Sequence, residues 1–217
     1  MVSAFNVMRL LSAAVLAASV VVGPAYAQQT IKLPTPKMDG GMPLMEAIAK
    51  RQSKRAFADK PLTNETLSNL LWAAFGINRP DGSERTAPSW RGSKETDIYV
   101  ATAEGVRMYD PATHTLRHVM DGDIRADTGR QPYAATAPLV LIYVADRTRM
   151  AEAPAQDQTL YAHVNSAFIS QNVYLFAASE GLATVVLGNV EKKELAEKMK
   201  LRGNQILTFT QPVGYPK

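Results

Sequence analysis

The sequence predicts an α+β domain in which helices and strands are intermixed. Strand-like pieces follow one another between Asp97 and Met120, with a turn at Asp110-Pro111 that is typical of a β-hairpin. The apolar run Pro138–Ala145 has the composition of a buried strand, and a long helical pattern follows it. Because strands and helices do not alternate regularly, an α+β fold is favoured over a doubly wound parallel sheet.

Residues 1–27 have the features of a secretory signal peptide. Arg9 lies in the short first region, Leu10–Val22 is an apolar run, and Ala25-Tyr26-Ala27 places small residues at the cleavage positions. A membrane anchor is the alternative, but the run is shorter than the about 20 residues of a spanning helix. We therefore expect cleavage after Ala27 and a periplasmic or secreted protein of roughly 190 residues, enough for one domain.

Charge and cysteine content exclude several classes of protein. Loss of Arg9 with the leader changes the formal net charge from +4 to +3. Since the charges are mixed along the chain and form no basic block, nucleic acid is not an expected partner. The chain has no cysteine, which excludes a disulfide framework, thiolate catalysis and a cysteine-ligated metal.

The first structured elements follow a polar arm. Residues 28–42 are rich in proline and glycine and predict an extended arm, so that the domain proper covers residues 43–217. A first helix is expected from about Pro43 to Ser53, with proline in its first turn. A second begins after the N-cap Thr63, and Gly76 supplies its C-terminal stop. Its core stripe has helical spacing and consists of Leu67, Leu70, Leu71, Ala74 and Phe75.

The middle of the chain alternates loops and strands. Ile77–Thr96 is a long polar loop, of a kind that is usually functional or disordered. Strands are expected at Asp97–Thr102, Gly105–Tyr109 and Leu116–Met120, the last two forming the hairpin. A second long loop covers Asp121–Ala137.

The last third predicts a central strand and a long helix. Pro138–Ala145 is apolar throughout, as in a strand covered on both faces. Gln156–Gly181 reads as one helix whose second half, Ala167–Ala178, is apolar nearly all round, so it is expected to be a buried central helix or a subunit interface. The remaining elements are a strand at Leu182–Leu187, a charged surface helix at Glu191–Lys200 and a strand at Gln205–Thr210.

Several common sites are missing from the sequence. It contains no G-x-G-x-x-G, Walker loop, H-E-x-x-H or G-x-S-x-G pattern. The three histidines, His114, His118 and His163, lack metal-binding spacing. We interpret His114 at a turn and His118 on a strand as surface side chains.

The segment from Arg51 to Phe57 is the candidate for chemistry. Arg51 and Arg55 are four residues apart, which would place them on one face if the helix continued, and Ser53 adds a hydroxyl between them. Two guanidinium groups and a hydroxyl suit a dianionic phosphate. A solvated basic turn is the alternative that charge alone favours.

The wider pattern resembles the nitroreductase family. The matching motifs run in order over about residues 45–216: R-x-S-x-R-x-F, L-L-W-A-A-F-G-I-N-R, R-T-A-P-S, G-V-R-M-Y-D-P-A-T-H-T-L, A-P-L-V-L-I-Y-V-A-D, Q-N-V-Y-L-F-A-A-S-E-G-L-A-T and P-V-G-Y-P. The branch resembled contains dehydrogenases of azole-modified peptides and exported relatives. The resemblance implies a central, mostly antiparallel sheet flanked by helices, and a homodimer whose interface contains the long helix.

The resemblance also implies bound FMN. Arg51, Ser53 and Arg55, with Gln52 among them, would hold the ribityl phosphate. The segment Pro88, Ser89 and Trp90 would lie beside the isoalloxazine ring, although Trp90 either stacks on the flavin or only caps its loop. Backbone N–H groups at Glu180 and Gly181 would lie near flavin N5, where a donor stabilises reduced flavin.

Two departures from the family pattern concern the flavin. Gly92 and Lys94 stand where many members have an asparagine and a glutamine for the pyrimidine edge, so Arg91 or Lys94 would have to donate instead. Many members also end in a basic pair at the phosphate, whereas this chain stops at Lys217, which is the candidate substitute.

The function implied is an FMN-dependent oxidoreductase with a ping-pong cycle and a small acceptor such as a nitroaromatic or a quinone. Because NAD(P)H is scarce in the periplasm, a membrane quinol or a partner protein is the expected electron donor. The alternatives are a flavin-binding protein without turnover and a dehydrogenase of a small or peptide substrate. Arg130 and Gln131, in the second long loop, are candidate substrate contacts.

Overall fold

The computed structural model describes residues 30–217, so the predicted leader lies outside the described residues. A seven-stranded sheet with the strand order β1-β4-β3-β2-β5-β7-β6 forms the centre, and every neighbouring pair of strands in it is antiparallel. The strands are β1 (Ile31–Lys32), β2 (Thr96–Ala101), β3 (Gly105–Asp110), β4 (Thr115–Asp121), β5 (Leu139–Asp146), β6 (Ala183–Thr184) and β7 (Gln205–Gly214). The α+β class and the antiparallel sheet are confirmed.

Helices flank this sheet. They are α1 (Leu44–Lys50), α2 (Asn64–Phe75), α3 (Tyr133–Thr136), α4 (Ala155–Ser179) and α5 (Lys192–Lys198). Short 3₁₀ turns at Trp90–Gly92, Arg125–Thr128 and Arg147–Met150 lie in the connecting loops. Within residues 30–217, no helix combines the length and the apolar character that crossing a membrane would require.

The central strand β5 is buried at every position, as its composition predicts. Leu139, Leu141 and Tyr143 belong to one core cluster, which also contains residues of α2 and α4. The alternate residues Val140 and Ile142 belong to a second cluster, which contains Leu195 of α5. Successive side chains of a strand point to opposite faces, so an unbroken apolar run is what a strand with two covered faces needs.

Helix α2 begins and ends where its sequence predicts. The Thr63 side chain accepts a hydrogen bond from the Thr66 N–H at 3.1 Å, which caps the first turn. Gly76 follows the helix with a φ of −72°, so it is not needed for a left-handed turn. A Cβ at this position would lie 2.7 Å from the carbonyl oxygen of Trp72, and close packing therefore explains the glycine.

The first helix is shorter than predicted. It ends at Lys50, and Arg51 already has a ψ of 123°. The expectation that Arg51 and Arg55 share a helical face is therefore wrong. Residues 52–56 form neither helix nor strand, and this segment lies beside the end of the sheet instead.

The long helix forms over almost the predicted range, but it is not buried on all sides. Ile169, Val173 and Ala177 are buried against the sheet. Phe168 on another face keeps 44% of its surface exposed, and Val164 keeps 39%. In the single chain this helix is therefore not a fully buried central helix, and the alternative of a subunit interface stays a prediction.

The final strand is longer than predicted and continues through Pro212 to Gly214. Pro212 has no N–H that could donate to a neighbouring strand. Its carbonyl oxygen still accepts a hydrogen bond from the Thr184 hydroxyl of β6 at 2.8 Å. Strand β6 covers only Ala183–Thr184 of the predicted Leu182–Leu187, and Leu187 adds an isolated bridge to Thr210.

Candidate functional site

The segment after α1 crosses the end of the sheet. The N–H of Lys54 donates to the carbonyl oxygen of Thr184 in β6 at 3.0 Å, and that of Ala58 donates to Tyr215 at 2.9 Å. Phe57 forms an antiparallel bridge with Pro216. These bonds hold the R-x-S-x-R segment against β6 and the residues that follow β7, which no local sequence pattern predicts.

A cavity of about 690 Å³ opens beside this segment and α4. Lys50, Arg51 and Lys54 line it with Gln52, and no acidic residue does. Lys50 is paired with Glu46 at 2.6 Å, whereas neither Arg51 nor Lys54 has an ion-pair partner among residues 30–217. The cavity therefore has a positive surface suited to an anionic group.

Tyr174 of α4 organises the wall of this cavity. Its hydroxyl lies 2.9 Å from the Ser53 Oγ and accepts a hydrogen bond from the Val186 N–H at 2.9 Å. The Arg51 guanidinium lies over the Tyr174 ring, 5.4 Å from its centroid. Tyr174 is not among the site residues that the sequence predicts. Its signal was a polar group inside the apolar half of a helix, which needs a buried hydrogen-bond partner.

The turn after α4 contributes Gly181 to the same cavity. Gly181 has a φ of +69°, and a Cβ there would meet no atom within 4 Å. Glycine thus leaves open space at the cavity wall in a conformation that other residues rarely adopt.

The backbone N–H of Glu180, which was predicted to lie near flavin N5, has a hydrogen-bond acceptor within α4. This N–H donates to the carbonyl oxygen of Phe176 at 2.9 Å and closes the helix C-terminus, and the Glu180 side chain lines a neighbouring cavity of about 300 Å³. The Leu182 N–H is likewise bonded to Ala177 at 2.8 Å. The amide of Glu180 is therefore already used within the helix end, because helix-terminal polar groups need partners of their own.

The other basic residues of the predicted phosphate site lie elsewhere. Arg55 and Lys217 line a different cavity of about 610 Å³ together with Arg125 and Asp59. It shares no lining residue with the first cavity. The structure thus separates Arg51 and Gln52 from Arg55 and Lys217, because the connecting segment is extended and not helical.

The Pro88–Trp90 segment is likewise not part of the Arg51 cavity. Pro88 is exposed, and the Ser89 hydroxyl accepts a hydrogen bond from the Lys94 N–H at 2.9 Å. Trp90 stacks on Tyr161 of α4, with ring centroids 5.5 Å apart. In the single chain Trp90 therefore packs against α4, and its stacking on a flavin stays a prediction.

The two candidate substrate contacts lie in the second long loop. Arg130 forms an ion pair with Glu191, and its N–H donates to the carbonyl oxygen of Asn189 at 3.2 Å. The Gln131 Oε1 is buried and has no hydrogen-bond partner within residues 30–217. Neither residue lines the Arg51 cavity.

The histidines also differ from their sequence interpretation. His114 is half-buried, and its ring nitrogens contact the Ser68 and Tyr109 hydroxyls at 2.7 and 2.9 Å. The view of His114 as a surface side chain is therefore wrong. In the described part of the chain, no group of three or more His, Cys, Asp or Glu side chains is arranged to hold a metal ion.

Comparisons with known proteins agree with this architecture. The sequence profile described as the nitroreductase family matches residues 48–215. A provisionally named nitroreductase of Methanocaldococcus jannaschii is 32% identical over 181 residues, which are 79% of this chain and 90% of that protein.

Two solved structures are similar as well. A provisionally named nitroreductase from Ralstonia eutropha JMP134 is 39% identical with a TM-score of 0.82, and the match covers 87% of this chain and 90% of that one. An NADPH:FMN oxidoreductase from Vibrio harveyi, in complex with NAD+, is 24% identical with a TM-score of 0.61, covering 80% of this chain and 69% of that one.

Proposed function

This chain belongs to the nitroreductase family of oxidoreductases, and from that premise we propose that it binds FMN in the Arg51 cavity and uses it to reduce a small acceptor. The observation that carries the proposal is the cavity itself. It is lined by Arg51 and Lys54 of the basic segment and by Gly181 after the long helix, and none of its lining residues is acidic.

The residues present fit a flavin mononucleotide. A volume of about 690 Å³ falls within the range of roughly 300–1,000 Å³ that is usual for cofactor pockets. Arg51 and Lys54 would neutralise the phosphate, and Gln52 would add an uncharged hydrogen-bonding group. Gly181 leaves the space that a side chain would otherwise fill.

This chain's own residues bind and orient. The Tyr174 hydroxyl, held by the Val186 N–H, fixes Ser53, and the Tyr174 ring packs against the guanidinium of Arg51 at the cavity wall. When bound, FMN would supply the redox chemistry, taking two electrons from a donor and giving them to a nitroaromatic or a quinone in alternate half-reactions. No protein nucleophile is required for such a reaction.

A homodimer is part of the proposal. Leu160, Val164 and Phe168 are exposed at helical spacing on α4, and Leu44, Met45 and Ile48 are exposed on the neighbouring α1. Large exposed apolar patches mark interaction sites. A second copy of this chain would cover the two-helix face.

The proposed location is the periplasm or the exterior, on the strength of the leader-like residues 1–27. There the electron donor would be a membrane quinol or a partner protein.

A flavin-binding protein without turnover is the second candidate. The observation that favours it is the position of two residues that were expected beside the flavin ring. Trp90 packs on Tyr161, and Lys94 lines a cavity other than the Arg51 cavity. A dehydrogenase of a small or peptide substrate is the third candidate, and it would use the same flavin cavity.

The test is the visible absorption spectrum of the protein after incubation with FMN and desalting. We expect a retained flavin spectrum that dithionite bleaches and a quinone acceptor restores. Retention without reoxidation by any acceptor would favour the second candidate, and no retained flavin would contradict the proposal.

Single alanine variants test which cavity is used. Arg51→Ala should lower FMN retention by about tenfold or more, since a charge-assisted contact contributes about 1.5–3 kcal/mol. Arg55→Ala is the matched control, because Arg55 lines the other cavity. The reverse outcome, with loss in Arg55→Ala alone, would move the cofactor to the Arg55–Lys217 cavity.

A further inference from the structure

A small, strongly charged cavity lies where β2 begins and β3 ends. Its volume is about 190 Å³, and it shares no lining residue with the Arg51 or the Arg55 cavity. Its charged lining residues are Arg85, Lys94, Arg117, Arg149, Asp97 and Asp110. Four cations face two carboxylates there, so the lining has a formal surplus of positive charge.

The two carboxylates already have partners. Asp97 Oδ2 accepts a hydrogen bond from Arg149 Nη2 at 2.5 Å, and Asp110 Oδ2 lies 3.7 Å from Arg117 Nε. Neither Arg85 nor Lys94 forms an ion pair within residues 30–217. The surplus charge therefore belongs to Arg85 and Lys94.

Arg85 has buried donor atoms without hydrogen-bond partners in the described part of the chain, and leaving such atoms unpaired is energetically unfavourable. Its Nε and Nη1 atoms are buried and have no hydrogen-bond partner in the described part of the chain. Its guanidinium packs over the Phe75 ring, 5.8 Å from the centroid, and burial lowers the pKa of Arg85. Arginine nevertheless stays charged in proteins, and nearly all buried polar groups are hydrogen-bonded. The Arg85 guanidinium therefore keeps its positive charge at the cavity without an ion-pair partner within residues 30–217.

Lys94 is held at the cavity by its backbone. It has a φ of +49°, which lysine rarely adopts. Its N–H donates to Ser89 Oγ at 2.9 Å, and its carbonyl oxygen accepts from Arg149 Nη1 at 2.9 Å. Lys94 lines the same cavity as Arg85.

We propose that Arg85 and Lys94 form a binding site for a small dianionic oxyanion, a phosphate group. The guanidinium supplies directed donors and the ammonium a point charge, which together match a phosphate better than a single carboxylate. The volume of about 190 Å³ is below the usual range for drug-sized ligands and suits a compact anion. The site goes beyond the proposed redox function and does not depend on it.

The experiment is calorimetric titration of the protein with inorganic phosphate at about pH 8, where the phosphate is mostly dianionic, in chloride buffer of constant low ionic strength. We expect saturable binding at one site of the protein with excess FMN present, whether or not FMN binds, and binding of acetate at least tenfold weaker. Absence of saturable phosphate binding, or equal binding of acetate, would overturn the proposal.

Variants assign the binding to this cavity. Arg85→Gln and Lys94→Gln should each weaken phosphate binding about tenfold or more. Arg107→Gln is the matched control, since Arg107 lies on the same strand β3 as Tyr109 but does not line the cavity. If Arg85→Gln unfolds, the Lys94→Gln variant decides. An unchanged affinity of Lys94→Gln for phosphate would refute the site. So would a loss of phosphate affinity in Arg107→Gln that equals the loss in Lys94→Gln.

The Arg51→Ala variant separates this proposal from the flavin site. Phosphate binding should persist in Arg51→Ala even where FMN retention is lost. Loss of phosphate binding in that variant would mean that phosphate had titrated the Arg51 cavity, and would overturn the second site while leaving the proposed function standing.

Discussion

Two polar groups from separate parts of the chain meet at the Tyr174 hydroxyl. The Val186 N–H and the Ser53 Oγ both lie 2.9 Å from it, although Tyr174 itself keeps only 8% of its surface exposed. A buried hydroxyl with two partners fixes both of them, because breaking either bond leaves a polar group without solvent. Tyr174 is therefore a positioning residue for the Arg51 cavity.

Removing this hydroxyl should weaken cofactor binding without unfolding the chain. In Tyr174→Phe, the Val186 N–H loses its acceptor and Ser53 its anchor, so we expect the Kd for FMN to rise roughly twofold to tenfold. Fluorescence titration of FMN measures this change.

The matched control is Tyr161→Phe, whose hydroxyl makes no hydrogen bond within residues 30–217 and which lines no part of the Arg51 cavity. An unchanged Kd in Tyr174→Phe together with a lowered unfolding midpoint would show that Tyr174 is only structural.

Helix α4 has two apolar faces, one buried in the core and one exposed on the single chain. One face carries Ile169 and Val173 into the core, and another exposes Leu160, Val164 and Phe168 at intervals of four residues. Because every residue of a helix has a fixed direction, a sequence that is apolar on several sides commits the helix to more than one contact. The exposed face is the proposed dimer contact.

A charge on that face should separate the subunits. Phe168→Glu places a carboxylate in the proposed interface, where burial without a partner is costly, so we expect the dimer dissociation constant to rise tenfold or more. Sedimentation velocity over a concentration series measures it.

Ala126→Glu adds the same charge at an exposed position of the 3₁₀ turn Arg125–Thr128 and serves as the control. A protein that is monomeric before any substitution would contradict the homodimer.

At the scale of the whole molecule, the N-terminal arm forms one edge of the sheet, where β1 pairs with β4. The Leu33 N–H donates to the carbonyl oxygen of His114 at 3.2 Å, and the Ser68 hydroxyl donates to that of Pro34 at 2.6 Å. Since Ser68 uses its proton on Pro34, its oxygen accepts from His114 Nε2, and His114 Nδ1 accepts from Tyr109. This network joins the arm, α2 and the β3–β4 turn around a neutral imidazole.

The stability of the fold should therefore depend on pH. Burial lowers the pKa of His114 below its ordinary value of 6.5. Between the lowered pKa and 6.5 the unfolded chain binds more protons than the folded one, so stability is full above 6.5 and falls as the pH falls below it. The slope from this group is at most about 1.4 kcal/mol per pH unit.

Urea unfolding across this pH range tests the effect. His114→Asn is the suitable variant, because His114 has a φ of +50° and asparagine tolerates that conformation. We expect the variant to be less stable at neutral pH and to lose part of the pH slope. An identical slope in both proteins would contradict the assignment.

Much of the element order was predictable from the sequence. The Thr63 cap and the apolar stripe after it identified α2, and the run at β5 identified a strand covered on both faces. These predictions succeed because periodicity and capping are local, and the same residues that show the pattern make the contacts. The family, too, followed from motifs in order along the chain.

The site was predictable only in part. The sequence singled out Arg51, Gln52 and Gly181, which the fold brings to one cavity. The sequence also grouped Arg55 and Lys217 with them. It predicted a first helix that continued past Lys50, but the helix ends at that residue. After α1 the Lys54 N–H is bonded to Thr184 of β6, which comes from a distant part of the chain.

The sequence by itself determined most helices, most strands and the family of this protein, because those follow from local patterns and from motifs read in order. Only the tertiary structure decided which charges share a cavity, that Tyr174 holds Ser53, and that Arg85 and Lys94 line one cavity without an ion pair of their own within residues 30–217. The physical reason is that hydrogen bonds and charges act over a few ångströms in space, and residues far apart in sequence become neighbours only when the sheet forms.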